Sequence, residues 1–254
     1  MILAVDVGNT HTVLGMFEGH ELGGHWRIST NHALTADELR VKVGGLLAAD
    51  GRGPMDVQRV VICSVVPKLG AAWEEVAESL TGRAPMVVGP GLKTGMPIRY
   101  DNPHEVGADR IVNGVAAFEA FGGPVIVVDF GTATTLDVVD GDGAYVGGAI
   151  APGVETSAEA LFSKAARLSK VDLEPPDKVV GTNTRTSVQA GLMLGEAVMV
   201  DGLVRRMWEE LGSKTPVVAT GGLAPVMAPI CETVGHVDVD LTLRGLMLVY
   251  ERNA

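Results

Sequence analysis

The chain opens on an apolar run, residues 2–5, that ends in an aspartate and then turns through Gly, Asn and Thr into a second run of apolar and β-branched residues. A short unbroken apolar run bounded by turn residues predicts a buried strand. The pattern returns at "VIVVDFGTATTLDVVDGD", 125–142. Laid without gaps over "LAVDVGNTHTVLGMFEG" at 3–19, Asp6 falls on Asp129, Gly8 on Gly131, Thr12 on Thr135 and Val13 on Leu136. The offset of 123 residues is about half the chain. Both copies read as strand, Asp-x-Gly turn and strand, and then pass a polar turn ("EGHE", "GDGA") into a third strand. Two unrelated hairpins can carry Asp and Gly at their turns. The shared spacing of Asp, Gly and Thr favours a duplication instead.

Between and after the two copies, helical and strand periodicities alternate. Residues 36–49 carry apolar positions at helical spacing behind Thr35, an N-cap. Residues 60–66 read as a buried strand, and Pro67 is suited to the first turn of the next helix. A short strand is predicted at 85–88 and a helix at 106–120. In the second half, 153–167, 186–211 and 241–252 are predicted helices, and 216–220 a strand ended by Gly221 and Gly222. Alternating strands and helices imply an α/β fold with mixed sheets flanked by helices. The repeat places two similar lobes at 1–115 and 116–254, with a cleft between them, where ligands of such sheets bind.

Composition narrows the function classes. Apolar residues make up 46% of the 254 and charged residues 20%, as in a folded globular chain. A formal net charge of -11 argues against nucleic-acid or anionic-membrane partners, which need a basic face. No apolar run in the sequence approaches the ~20 residues of a membrane helix, and the N-terminus lacks the basic segment of a secretion signal. Cys63 and Cys231 have no metal-ligand or redox spacing, so both are read as thiols of a reducing cytoplasm.

The two Asp-x-Gly turns are the first candidate chemistry. Glycine lets the main chain approach a phosphate closely, and free N–H groups cradle it. Asn and Thr add neutral donors, and the carboxylates of Asp6 and Asp129 suit cations that offset polyphosphate charge. Turn aspartates that only cap their own backbone are the alternative for either motif alone. "YDNPHEVGADRIVNG", 100–114, is the second candidate. Asp109 is favoured by the helix dipole at the first turn of its predicted helix, but Arg110 is not. The Arg110 guanidinium fork suits a carboxylate or phosphate, and Asp109 can accept a proton from a hydroxyl. Read alone, this stretch fits a cap and a surface ion pair better. "VVATGGLA" at 217–224 either has glycines on which a nucleoside can lie or is an ordinary strand-to-helix turn. "GGAIAPGV" at 147–154 is either an anion site at a helix start or a tight packing contact. No P-loop, Gly-x-Gly-x-x-Gly, His-Glu-x-x-His or Gly-x-Ser-x-Gly string is present.

Taken in order, "DVGNT", "SVVP", "NPHEVGADR", "DFGTATT", "GGAIAPG", "NTRTSVQAG", "TGG" and "LTLRGL" cover essentially the whole chain. Together they resemble the type III pantothenate kinases, a branch of the acetate and sugar kinase/Hsp70/actin superfamily. The resemblance implies duplicated actin-like (ribonuclease H-like) lobes and ATP-dependent phosphorylation of pantothenate to 4′-phosphopantothenate, the first step of coenzyme A biosynthesis. It implies an ATP loop of Asp6, Val7, Gly8, Asn9, Thr10, His11, Thr12 and Val13, with further ATP contacts at Gly131, Thr132, Thr220, Gly221 and Gly222. It implies a pantothenate site of Tyr100, Gly107, Ala108, Asp109, Arg110 and Thr184, with Asp109 as general base. Arg110 would anchor either the substrate carboxylate or the phosphoryl group. Mg²⁺ is expected with ATP, and a monovalent cation (K⁺ or NH₄⁺) at Asp129. A cytoplasmic homodimer is implied, with "GGAIAPG" as its interface motif. The rival readings are another small-molecule kinase of the superfamily and a non-enzymatic actin-like ATP-binding regulator.

Overall fold

Each half of the chain builds the same five-stranded sheet. A computed structural model describes residues 1–165 and 168–254. In chain order come β1 (Ile2–Val7), β2 (His11–Glu18), β3 (Glu21–Ser29), α1 (Ala36–Ala49), β4 (Arg59–Ser64), α2 (Pro67–Thr81), β5 (Met86–Val87) and α3 (Ala108–Phe121). The second series is β6 (Val125–Phe130), β7 (Ala133–Val139), β8 (Tyr145–Pro152), α4 (Val154–Lys164), α5 (Thr184–Gln189), α6 (Gly195–Leu211), β9 (Val217–Thr220), α7 (Ala224–Met227), β10 (His236–Val237) and α8 (Leu241–Glu251). The first sheet is ordered β3-β2-β1-β4-β5, and the second, taken from its other edge, is β8-β7-β6-β9-β10. In both, the first three strands are antiparallel and the last two add in parallel. The fold class expected from the duplication is therefore present: two mixed sheets with the same strand order, in an α/β chain.

The register corrects the gap-free overlay of the two copies. Asp6 pairs with Val13 across the first hairpin, whereas Asp129 pairs with Thr135 across the second. The first turn is thus one residue longer, and beyond it Thr12 corresponds to Thr134, not Thr135. Both of these threonines are 1% exposed. Turn length is set by backbone geometry, which an ungapped comparison of side chains does not register.

The chain divides into two compact units, Met1–Met96 with Asn102–Ala116 and Thr242–Ala254, and Pro97–Asp101 with Ala117–Leu241. In the first unit, Leu3, Val5 and Val7 of β1 pack with Leu39, Val43 and Leu47 of α1 and Leu69, Trp73 and Val76 of α2. The two-residue period of the strand turns Asp6 to the opposite face. α8 joins this unit because it lies hard against α3: a Cβ at Gly245 would collide with the Val112 carbonyl, and Thr242 Oγ1 and Asn113 Oδ1 are 2.7 Å apart. In the second unit Ile126, Val128 and Phe130 of β6 pack with Ala197, Val200 and Val204 of α6, so Asp129 again faces away from that cluster.

Helix starts follow local chemistry. Thr35 caps α1 in a capping box: its Oγ1 accepts the Glu38 N–H, and the Glu38 carboxylate accepts the Thr35 N–H at 2.9 Å. Thr35→Ala is expected to lower the melting temperature by about 2–4 °C, read in thermal unfolding. Pro67 is the first residue of α2, as expected. The helix expected over 153–167 is Val154–Lys164, and positions 166 and 167 of that expectation lie outside the described residues. α5, a π-helical turn at Ala190–Leu194 and α6 form one run, Thr184–Leu211, whose length and hydropathy match a membrane helix. Met193, Ala197, Val200 and Val204 on this run belong to the core of the second unit, which accounts for its apolar character.

Candidate active site

In the first unit the Asp6 turn is narrow. The Gly8 N–H donates to the His11 carbonyl at 3.1 Å, and a Cβ at Gly8 would lie 2.8 Å from that oxygen. Asn9, Thr10 and His11 are exposed, and Val13 is half-buried. Val7 points into the core, so only its main chain faces outward. Thr12 is turned inward, its Oγ1 2.9 Å from Thr30 Oγ1. Asp6 sits beside Cys63 in the parallel β1–β4 register, on the same face of the sheet.

α3 opens at Ala108 behind Gly107, and places Asp109 and Arg110 in its first turn. The Arg110 N–H donates to Asp109 Oδ1 at 2.8 Å. Burial raises the Asp109 carboxyl above its ordinary value, against the smaller opposing pull of the Arg110 N–H and the Arg110 charge. Arg110 itself is only 8% exposed. The fully buried Cys63 thiol is pushed well above its ordinary value, first by desolvation and then by the charges of Asp6 and Asp109. Both carboxylates therefore lie within electrostatic reach of one thiol, although about a hundred residues separate them in sequence. A carboxylate held above its normal pKa is a better proton acceptor near neutrality.

In the second unit the parallel β6–β9 register sets Thr220 against Asp129. Thr220 is buried, and the chain then turns at Gly221 with φ +90°. A Cβ at Gly221 would run into Asp129 Oδ1 and the Phe130 carbonyl, and one at Gly131 would lie 3.4 Å from Asp129 Oδ1. The Gly131 and Gly221 main chains thus approach the Asp129 carboxylate closely, which only residues without a Cβ allow. Gly222 and Thr132 are exposed. The Thr132 carbonyl is held from below, accepting the Gly153 N–H at 3.1 Å and the Thr156 hydroxyl at 2.6 Å. Among the described residues no group of three or more His, Cys, Asp or Glu side chains gathers as a metal cage.

Thr184 is the exposed first residue of α5, behind the Asn183 cap, whose Oδ1 accepts the Thr186 N–H at 2.9 Å. It lines a cavity of about 630 Å³ with Leu161, Leu168, Ser187, Val188 and Leu192. Tyr100 groups with this unit, while Gly107–Arg110 group with the first. A cavity of about 570 Å³ in the first unit, lined by Arg59, Arg83 and Tyr250, contains none of the motif residues.

The model of one family, type III pantothenate kinase, matches residues 2–206. The chain belongs to the type III pantothenate kinase family. A type III pantothenate kinase of Moorella thermoacetica is 51% identical over 253 residues, covering 100% of both chains. Among solved structures, a Baf family transcriptional activator from Campylobacter jejuni superposes with TM-score 0.63 at 17% identity, covering 99% of this chain and 98% of that one. A ROK hexokinase from Thermus thermophilus superposes with TM-score 0.51 at 14% identity, over 100% of this chain and 99% of that one. These two likenesses carry the fold.

Within this member of the type III pantothenate kinase family, the sequence motifs single out Asp6, Asp109, Asp129 and the Thr-Gly-Gly turn, and each now has a defined neighbourhood. They do not mark Cys63, which pairs beside Asp6 across β1 and β4, or Thr156, whose hydroxyl donates to the Thr132 carbonyl. Gly153 belongs to "GGAIAPG", read above as an anion or packing motif. It abuts the Gly131–Thr132 main chain so closely that a Cβ would strike both carbonyls. No sequence signal marks that contact, because it depends on the β7–β8 pairing.

Proposed function

We propose that the protein transfers the γ-phosphoryl group of ATP to the primary hydroxyl of pantothenate, giving 4′-phosphopantothenate and ADP. The observation that carries this reading is the half-buried Asp109, raised by desolvation and set beside Arg110 at the start of α3, in a chain of this family. Asp109 takes the hydroxyl proton as the oxygen attacks in line. Arg110 holds an anionic group of the reactants, and Tyr100, Gly107, Ala108 and Thr184 complete the pantothenate site. Residues 6–13 present main-chain and hydroxyl donors to the nucleotide, as do Gly131 and Thr132, and Thr220–Gly222 receive the adenosine. Phosphoryl transfer has a loose transition state, so positioning matters more than base strength.

A monovalent cation would be held by the Asp129 carboxylate, which two glycine main chains approach closely, and Mg²⁺ would come in on the ATP phosphates. Bound there, these cations offset phosphate charge. Replacing K⁺ by Na⁺ is expected to lower turnover; equal initial rates in the two salts would count against this site.

We further propose a homodimer in the cytoplasm. "GGAIAPG" would form its interface from β8, the edge strand of its sheet, and two buried free thiols suit a reducing compartment. The reaction is tested by ADP release with pantothenate against a panel of sugars and other hydroxy acids. Release with a sugar alone would replace the substrate, and nucleotide binding without release would make the protein a regulator.

A further inference from the structure

A chain of side chains outside the proposed pantothenate site lines up behind, and beside, one of its residues. Tyr145 and Asp137 are both completely buried in the second unit. The Tyr145 hydroxyl donates to Asp137 Oδ1 at 2.8 Å, and the Thr135 hydroxyl donates to Asp137 Oδ2 at 2.8 Å. A fully buried carboxylate is costly unless its oxygens are bonded, and an apolar residue would fill this strand position at no such cost. What the acid adds is geometric, because it fixes where the Tyr145 ring stands. A Phe ring would fill the same volume but leave its tilt to packing alone.

The Tyr145 ring is the neighbour of Tyr100, with centroids 6.1 Å apart and planes tilted by 58°. The same residue also fixes the backbone that leads into Tyr100. Its N–H donates to the Pro97 carbonyl at 2.9 Å, its carbonyl accepts the Arg99 N–H at 2.8 Å, and Ile98 bridges to it in parallel. Arg99 is in turn tied to Asp140 at 2.6 Å and Asp142 at 3.3 Å. At the other end, Thr135 is the cross-strand partner of Asp129. Asp137 thus links the Tyr145 ring, the neighbour of Tyr100, to the strand pair that carries Asp129.

We infer that Asp137 and Tyr145 are positioning residues for the hydroxy-acid substrate: their hydrogen bond sets the Tyr145 ring, and that ring sets the pose of Tyr100. The inference rests on the assignment of Tyr100 to the pantothenate site. The test is steady-state ADP release by the full chain for Tyr145→Phe, Asp137→Asn, Tyr100→Leu and the Tyr100→Leu/Tyr145→Phe double variant. Tyr145→Phe and Asp137→Asn are expected to raise the KM for pantothenate about fivefold, the loss of one hydrogen bond. The KM for ATP should stay within roughly twofold, and the double variant should be no worse than Tyr100→Leu, since the two residues act on one contact. An unchanged pantothenate KM, equal rises in both KM values, or fully additive effects would overturn the inference. If Asp137→Asn does not fold, Tyr145→Phe, which removes one oxygen atom, decides alone. A wild-type chain that releases no ADP with pantothenate overturns the proposed reaction and this inference together. An active wild type with unaffected variants overturns the inference alone.

Discussion

Asp109→Asn is expected to lower pantothenate-dependent ADP release by about 10²–10⁴-fold, the range of a general base, while nucleotide binding stays close to that of the wild type. Asn retains an Oδ1 acceptor for the Arg110 N–H, so the first turn of α3 keeps its hydrogen bond. Stability should move the other way. The carboxyl is raised in the folded protein, chiefly by desolvation, so the fold binds a proton there more tightly than the unfolded chain. Its contribution is fully present below the unfolded carboxyl pKa of about 4 and is lost as pH rises through the raised folded value. At neutral pH the wild type therefore holds a poorly solvated charge that Asn does not. The variant is expected to melt higher than the wild type at pH 7, with the gap closing as pH falls toward 4. Turnover and thermal melts measured on the same preparations check both halves. Near wild-type turnover would remove Asp109 as the base, and a lower melting temperature at pH 7 would remove desolvation as the cause of its shift.

Gly221→Ala is the second large effect. The residue has φ +90°, which an L side chain rarely adopts, at a cost of about 1–3 kcal/mol. The added Cβ would also be driven into the Asp129 carboxylate and the Phe130 carbonyl, and that carbonyl cannot give way, because it belongs to β6 and accepts the Leu223 N–H at 3.2 Å. The expected result is a melting temperature several degrees lower and a loss of ATP affinity on the order of tenfold or more. Gly202→Ala is the control. It lies in α6 with open space around its Cβ position, and should leave ATP affinity unchanged while raising stability by about 0.5–1 kcal/mol. Thermal unfolding and nucleotide titration separate the two. Equal behaviour of the two alanine variants would mean that the Gly221 contact with Asp129 does not shape the site.

The boundary between what is legible in the sequence and what is not runs along sequence distance. Thr35 as the cap of α1 and Pro67 as the first residue of α2 are readable because each acts on main chain within four residues. The order of strands and helices in both halves is readable for the same reason: period and turn residues are local. The duplicated Asp-x-Gly turn is visible too, but its register is not, because one residue of turn length changes which threonine answers which.

The sequence by itself determined the α/β class, the two Asp-x-Gly turns, the Asp-Arg pair at a helix start and the family whose motifs it carries. These depend on residue type and on spacing along the chain. Tertiary structure alone decided that Gly221 lies against Asp129, that Cys63 of β4 pairs beside Asp6 of β1, and that α8 returns to the first unit. It also decided that the Tyr145 ring is the neighbour of Tyr100 and that Tyr145 pairs with the backbone at Pro97 and Arg99. Each of these contacts is made by strand pairing or close packing between segments far apart in the chain. Their strength comes from desolvation and from the close approach of main chains, quantities that exist only once the chain has folded.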